Sequence, residues 1–211
     1  MKRIKKEISY FFYKIIIYIV RFLLKILWGY KVEGKEKIPK GSFIVVANHV
    51  SLLDPIVIGA AFDKRLFYLA KKELFKSKIF NPFLRWLGAI DVDRRDFRFE
   101  TWKKIKRLIK GNEIIVIFPE GTRNEHPEKG LLEIKDGAST LAITHGLPIL
   151  PIGIKGTEKI WRRRKVIPQL GGNITIKIGG PIFVIKNNKP TKEEIKDLND
   201  KIKESITELL K

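Results

Sequence analysis

The pattern of apolar and polar positions divides the chain near Gly29. Residues 8–28, ISYFFYKIIIYIVRFLLKILW, are long enough to cross a bilayer as one helix, yet they carry Lys14, Arg21 and Lys25. At about 100° per residue, Arg21 and Lys25 return to within roughly 20° of Lys14. The three cations therefore share one narrow stripe with Tyr18 beside it, and Ile, Leu, Phe and Val dominate the rest of the circumference. Three cations near the middle of a span are costly. A helix lying in the interface, with its apolar face among acyl chains and its cations towards phosphates, costs much less. Met1-Lys-Arg-Ile-Lys-Lys6 adds four cations suited to an anionic cytoplasmic leaflet. A packed soluble helix and a tilted span are the alternatives. A cleaved signal peptide fits poorly, because charge interrupts the apolar region and no Ala-x-Ala site follows. The expectation is an interfacial membrane-anchoring helix over 1–30, followed by one domain over 31–211.

After Gly29 the pattern changes to short apolar runs separated by amphipathic stretches. Strands are expected at Phe43–Ala47, Leu66–Leu69, Ala89–Val92, Ile114–Phe118, Pro148–Ile154 and Ile174–Ile178, and helices at Pro55–Phe62, Ile79–Leu87, Phe97–Lys110 and Asp136–His145. Gly111 and Gly146 supply helix stops. Thr191 and Glu194, after Pro190, have the spacing of a capping box and predict a last helix running to the end. The strands are continuously apolar rather than alternating, which requires cover on both faces. The expected fold is a single α/β sandwich domain around one mostly apolar sheet.

Composition sharpens this picture. The chain has 211 residues, 44% hydrophobic, enough to bury a core. It has no cysteine, which excludes disulfides, thiolate metal sites and a cysteine nucleophile, and three histidines leave little material for a metal site. Its 43 Lys+Arg against 23 Asp+Glu give +20 and call for an anionic partner, nucleic acid or membrane. No nucleic-acid module is recognisable, and nucleic acid explains neither the apolar helix nor the residues described next.

Three constellations can carry chemistry. In Asn48-His-Val-Ser-Leu-Leu-Asp-Pro55, His49 sits where a strand ends and Asp54-Pro55 has the form of a helix start. On a continuous helix their five-residue offset would part the side chains by about 140°. They meet only if 49–53 turn His49 back over the helix start. Asp54 would then fix the imidazole and leave its other nitrogen to take a proton. The plainer reading makes Asp54 or Ser51 an N-cap and His49 a loop histidine. Phe118-Pro-Glu-Gly-Thr-Arg123 follows a strand and suits an anion, with backbone N–H groups and Arg123 as grips. Glu120 could orient Arg123 or bind a hydroxyl, and a solvated turn with a local ion pair competes. Lys71-Lys72-Glu73-Leu74-Phe75, Asp91–Arg95 and Trp161-Arg-Arg-Arg-Lys165 offer further cations, which solvated surface would equally explain. His126 reads as a loop residue and His145 as a helix C-terminal one.

Together these segments resemble the 1-acylglycerol-3-phosphate acyltransferases, the lysophosphatidic acid acyltransferase family of bacterial membranes. The His-x-x-x-x-Asp motif of that superfamily matches His49 and Asp54. Its Lys-Lys-Glu-Leu and Gly-Ala-Ile-x-Val-Asp-Arg block matches 71–74 and 88–94, and Phe-Pro-Glu-Gly-Thr-Arg matches 118–123 without a substitution. Leu-Pro-Ile-x-Pro-Ile matches 147–152, preceded by the family-like Lys135-Asp-Gly-Ala138. The likeness covers roughly 32–185 in order, and the N-terminal anchor also looks like the family's. Asn124 departs from the serine usual after the third block, a peripheral position.

The resemblance implies transfer of a fatty acyl group from a thioester, acyl-CoA or acyl-ACP (acyl carrier protein), to the sn-2 hydroxyl of lysophosphatidic acid. The product is phosphatidic acid. His49 would be the general base oriented by Asp54, and Arg123 would hold the acceptor phosphate, with Glu120, Gly121 and Thr122 shaping that pocket. Lys71 or Lys72 would be a second phosphate contact, and a backbone N–H of the fourth block the oxyanion donor. Neither cofactor nor metal is implied. Membrane lipids and no nucleic acid are the expected partners, at the cytoplasmic face of the inner membrane, with the protein monotopic or peripheral. The rivals are an enzyme acylating glycerol 3-phosphate or another lysolipid, and a non-catalytic lipid-binding protein.

Overall fold

A computed structural model describes residues 2–78, 80–92, 99–161 and 167–211. The strands are β1 (Lys31–Glu33), β2 (Ile44–Ala47), β3 (Leu66–Lys71), β4 (Ala89–Val92), β5 (Ile114–Ile117), β6 (Ile149–Lys155) and β7 (Thr175–Ile178). They form one sheet in the order β1-β7-β6-β2-β5-β3-β4. Pairings are parallel except between β6 and β7, so the sheet is mixed. The helices are α1 (Lys2–Trp28), α2 (Asp54–Ala61), α3 (Phe80–Trp86), α4 (Phe99–Lys110), α5 (Gly137–His145), α6 (Thr157–Ile160) and α7 (Lys192–Leu209).

The expected α/β sandwich is what forms, and its core lies on both faces of the sheet. On one face, Leu24 and Trp28 of α1 and Val57 and Ile58 of α2 pack against Val45, Val116, Ile152 and Ile176. On the other, Ile105 of α4, Leu141 of α5 and Ile202 of α7 pack against Ile44, Val46, Ile115 and Ile149. Every residue of β2 is buried, as a strand covered on both faces requires. Local chemistry sets several ends. α5 stops at Gly146, at φ +64 in the left-handed region. At the start of α7 the Thr191 Oγ1 accepts from the Glu194 N–H, and the Glu194 carboxylate accepts from the Thr191 N–H. Two short elements, β1 and α6, lie outside the expected set. At three and four residues they are too short to show a period. Ile79, Phe97 and Arg98, included in two expected helices, lie outside the described residues, as do Asp93–Arg95 and Arg162–Lys165.

α1 is amphipathic in two directions. Tyr13, Ile17, Leu24 and Trp28 are buried against the domain. Phe12, Ile15, Ile19, Phe22, Leu23 and Ile26 are exposed and share an arc of about 100° on the outer face. Arg21 departs from the expected outward stripe. Its Nε donates to the Ala60 carbonyl at 2.5 Å, its Nη2 donates to the Phe62 carbonyl at 2.7 Å, and it pairs with Asp63 at 2.8 Å. The last carbonyls of α2 have no helical partner, and a cation is favoured at that end. Lys14 and Lys25 remain exposed. Among the described residues, no helix is long and apolar enough to cross a membrane.

Candidate functional site

The two central strands, β2 and β5, send their chains to opposite faces. β2 continues through α2 on the first face to β3, and β5 continues through α5 on the second face to β6. A crevice opens outside the carboxyl ends of such a strand pair, where α/β sheets hold their ligands. His49 follows β2 and the Phe118–Arg123 turn follows β5, so both reach this crevice.

The turn over 49–53 brings His49 and Asp54 together. Asp54 Oδ2 accepts from His49 Nδ1 at 2.8 Å, from the Val50 N–H at 2.6 Å and from the Ser51 N–H at 2.7 Å. Asp54 therefore folds back over the turn instead of capping α2, whose N-cap is Leu53. Ser51 does not cap the helix either. Its hydroxyl donates to the Trp161 carbonyl and accepts from the Leu53 N–H. Asp54 is fully buried, and the His49 side chain is 18% exposed. The His49 ring lies on Phe118, with centroids 4.1 Å apart and planes 20° from parallel. With Nδ1 on the carboxylate, Nε2 is the ring nitrogen that no described residue bonds. The short α2 that carries Asp54 is held by phenols on its carbonyls: Tyr68 Oη donates to Pro55 and Tyr30 Oη to Val57, both at 2.7 Å. Burial pushes both phenols up, so they stay protonated donors.

The second block closes around the same histidine. Phe118-Pro119-Glu120-Gly121 is a turn in which the Gly121 N–H donates to the Phe118 carbonyl, with Gly121 at φ +70. Glu120 is buried and bridges two backbone groups, accepting from the His49 N–H through Oε1 and from the Leu132 N–H through Oε2, each at 2.9 Å. Desolvation raises its carboxyl above the ordinary range, against the lowering effect of those two bonds. Both oxygens are thus engaged by the backbone that frames His49, rather than by Arg123. Asn124 donates its N–H to the His49 carbonyl at 2.7 Å. Arg123 is half-buried and Thr122 exposed in this turn. Lys71 ends β3 three residues after Tyr68, the partner of Val116, so it stands level with Pro119. Lys72 follows it, and both are exposed. A cavity of about 390 Å³ adjoins the Phe118–Gly121 turn, lined mainly by apolar groups of Leu69, Val92, Ile117, Phe118, Pro119 and Ala138, with Lys135 among its walls; His49, Arg123, Lys71 and Lys72 do not line it. That volume falls in the range of small-molecule sites.

Two residues of the site escaped the sequence reading as functional groups. Asn48 is buried and pairs its amide with the backbone of Ile154, donating at 2.9 Å and accepting at 2.8 Å. Thr157 Oγ1 donates to Asp54 Oδ1 at 2.6 Å. Asn48 stood inside a motif already noticed, but nothing local marked Thr157. His126 and His145 have other partners, Glu128 and the Leu141 carbonyl. Among the described residues, no cluster of three His, Asp or Glu side chains could hold a metal ion.

A family model described as Acyltransferase matches residues 29–155, which span every strand of this site. The chain belongs to the acyltransferase family. Acyltransferase relatives extend the match beyond those bounds. The chain is 29% identical to the 1-acyl-sn-glycerol-3-phosphate acyltransferase of Bacillus subtilis (strain 168), across 93% of this chain and 96% of that protein. It is 30% identical to the 1-acyl-sn-glycerol-3-phosphate acyltransferase of Saccharomyces cerevisiae, across 90% of this chain and 63% of the longer yeast protein. The crystal structure of the 1-acyl-sn-glycerophosphate (LPA) acyltransferase from Thermotoga maritima superposes with a TM-score of 0.68 at 29% identity. That match covers 92% of this chain and 79% of the other.

Proposed function

We propose that this acyltransferase moves a fatty acyl group from an acyl thioester, acyl-CoA or acyl-ACP, to the sn-2 hydroxyl of lysophosphatidic acid, giving phosphatidic acid. The observation that carries the mechanism is the 2.8 Å contact between His49 Nδ1 and a fully buried Asp54, which leaves Nε2 as the ring nitrogen open to a substrate proton. The names of the relatives support the acceptor. In this reading His49 Nε2 takes the proton of the acceptor hydroxyl as its oxygen attacks the thioester carbonyl. The tetrahedral intermediate then expels the thiolate, which recovers the proton from the imidazolium. Such a base is typically worth ~10²–10⁴ in rate. Asp54 holds the ring and offsets the charge it gains. Arg123, with Lys71 or Lys72 at the same carboxyl end of the sheet, takes the acceptor phosphate, where a guanidinium can grip two oxygens at once. Glu120 serves the site from behind by fixing the backbone of His49.

We further place the protein on the cytoplasmic face of the inner membrane, lying on the bilayer rather than across it. The exposed apolar arc of α1 beside Lys14 and Lys25 supports this, as does the net charge of +20. Exposed Ile167 and Leu170 adjoin that helix, since Trp28 Nε1 donates to the Gln169 carbonyl. A lipid acceptor then enters sideways from the leaflet.

The test is acyl transfer to lysophosphatidic acid in detergent micelles, with wild type beside His49→Ala and Arg123→Ala. His49→Ala is expected to abolish turnover, and Arg123→Ala chiefly to raise the KM for the phosphate-bearing acceptor. Activity on glycerol 3-phosphate or another lysolipid instead would keep the mechanism and replace the acceptor. Unchanged turnover in His49→Ala would overturn the mechanism.

A further inference from the structure

We infer that Thr157 is a positioning residue of the reaction: its hydroxyl sets the rotation of the Asp54 carboxylate so that one chosen oxygen faces His49. The inference rests on the acyl-transfer reading given above. Three donors, His49 Nδ1 and the N–H groups of Val50 and Ser51, converge on Oδ2. All three belong to the turn that His49 itself occupies, so they move with it. Oδ1 has one partner among the described residues, the Thr157 hydroxyl at 2.6 Å, which comes from 103 residues away. Thr157 and Asp54 are both fully buried, so no water stands ready to replace that bond. A buried carboxylate with one oxygen unsatisfied is costly. Without that bond it can also turn about its last bond and carry Oδ2 off the line to His49 Nδ1.

The hydroxyl is placed by the scaffold and not by the aspartate. Thr157 follows Gly156, which sits at φ +94. A Cβ on Gly156 would stand 1.9 Å from the Asn173 carbonyl oxygen, so only glycine makes this turn. The Gly156 N–H donates to the Glu158 carboxylate at 2.8 Å, which closes the turn from the other side. Three residues before Thr157, Ile154 is clamped by the Asn48 amide, the residue next to His49. The end of β6 is thereby registered against the end of β2, and the hydroxyl arrives at a fixed height above Asp54. Glu120 is a further charged group near the pair among the described residues, and it is bonded to backbone. A Ser in place of Thr157 keeps the donor, whereas a Val keeps the shape and removes it.

The experiment compares wild type, Thr157→Val and Thr157→Ser in two readouts, steady-state acyl transfer and the ¹⁵N spectrum of the His49 ring. Thr157→Val is expected to lower kcat by about 10- to 100-fold, the worth of one hydrogen bond to a charged group. KM for acceptor and thioester should stay within about twofold of wild type. Thr157→Ser should restore kcat to within about threefold. In the spectrum, wild type and Thr157→Ser should show one tautomer, with the proton on Nδ1, and Thr157→Val a mixture. Equal losses in Val and Ser, or a loss confined to KM, would overturn the assignment. So would an unchanged tautomer in Thr157→Val. The spectrum needs no turnover: an inactive wild type would count against the acyl-transfer reading, while the tautomer comparison would still decide the role of Thr157.

Discussion

Replacing Asp54 by Asn separates the charge of this side chain from its shape. Asp54 takes three donors on Oδ2 and one on Oδ1. In one amide rotamer the Asn oxygen accepts the same three donors, and the NH₂ meets the Thr157 oxygen, which can turn to accept. The buried Thr157 hydroxyl then loses its acceptor, a cost that the removed desolvation of a buried carboxylate offsets in part. The stability change should be small, about 1 kcal/mol, against the ~3–5 kcal/mol usual when a buried ion loses its partner. Catalysis should suffer much more. In the proposed mechanism His49 becomes a cation as it takes the acceptor proton, and two opposite charges about 4 Å apart attract by ~4 kcal/mol at the effective dielectric of a partly open site. Losing that attraction corresponds to about three decades in rate. The assay is kcat and KM for acyl transfer, with thermal unfolding of the same preparation as the control for folding. A folded Asp54→Asn retaining more than a tenth of wild-type kcat would refute the claim that the carboxylate acts by stabilising imidazolium.

Three further outcomes follow from other contacts. Arg21→Ala removes two bonds to α2 carbonyls and the pair with Asp63, so it should destabilise by ~1–3 kcal/mol, and an unchanged Tm would show that the latch carries nothing. Phe22→Glu on the outer face of α1 should leave Tm alone and cut co-sedimentation with phosphatidylglycerol vesicles by roughly tenfold or more; undiminished binding would contradict the orientation proposed for α1. Glu120 carries a pH signature. Burial raises its carboxyl, so the folded state holds the proton more tightly than the unfolded chain does. Its contribution is fully present below the ordinary value of 4.5 and is lost as pH rises through the raised one. Chemical unfolding of wild type and Glu120→Gln across that interval should show wild type losing stability relative to the variant as pH increases, and parallel curves would exclude the effect.

Much of the architecture was legible without coordinates. β2 and β5 are runs of apolar β-branched residues with no polar alternation, and such runs are stable only when covered on both faces. Helix ends were equally local: Gly146 takes a left-handed conformation that side chains resist, and Thr191 and Glu194 satisfy each other's N–H groups. These signals arise within a few residues and need no fold to be read. His49 and Asp54 were visible as a spacing, but whether they met depended on a turn. An N-cap was the plainer role for Asp54; three donors gathered on one of its oxygens instead.

What only the tertiary structure decided is which distant groups share the site. Strand order brought the end of β6 beside the end of β2, and with it Asn48 to Ile154 and Thr157 to Asp54. Glu120, read as orienting Arg123 or binding a hydroxyl, accepts from the backbone of His49 and Leu132. Arg21 looked like a cation directed towards membrane phosphates and found the carbonyl end of α2. The direction of β7, antiparallel to β6, was likewise open. The physical reason is common to all of these. Periodicity and capping report how a residue suits its own neighbourhood, while a buried donor takes whichever acceptor the packed strands bring within about 3 Å.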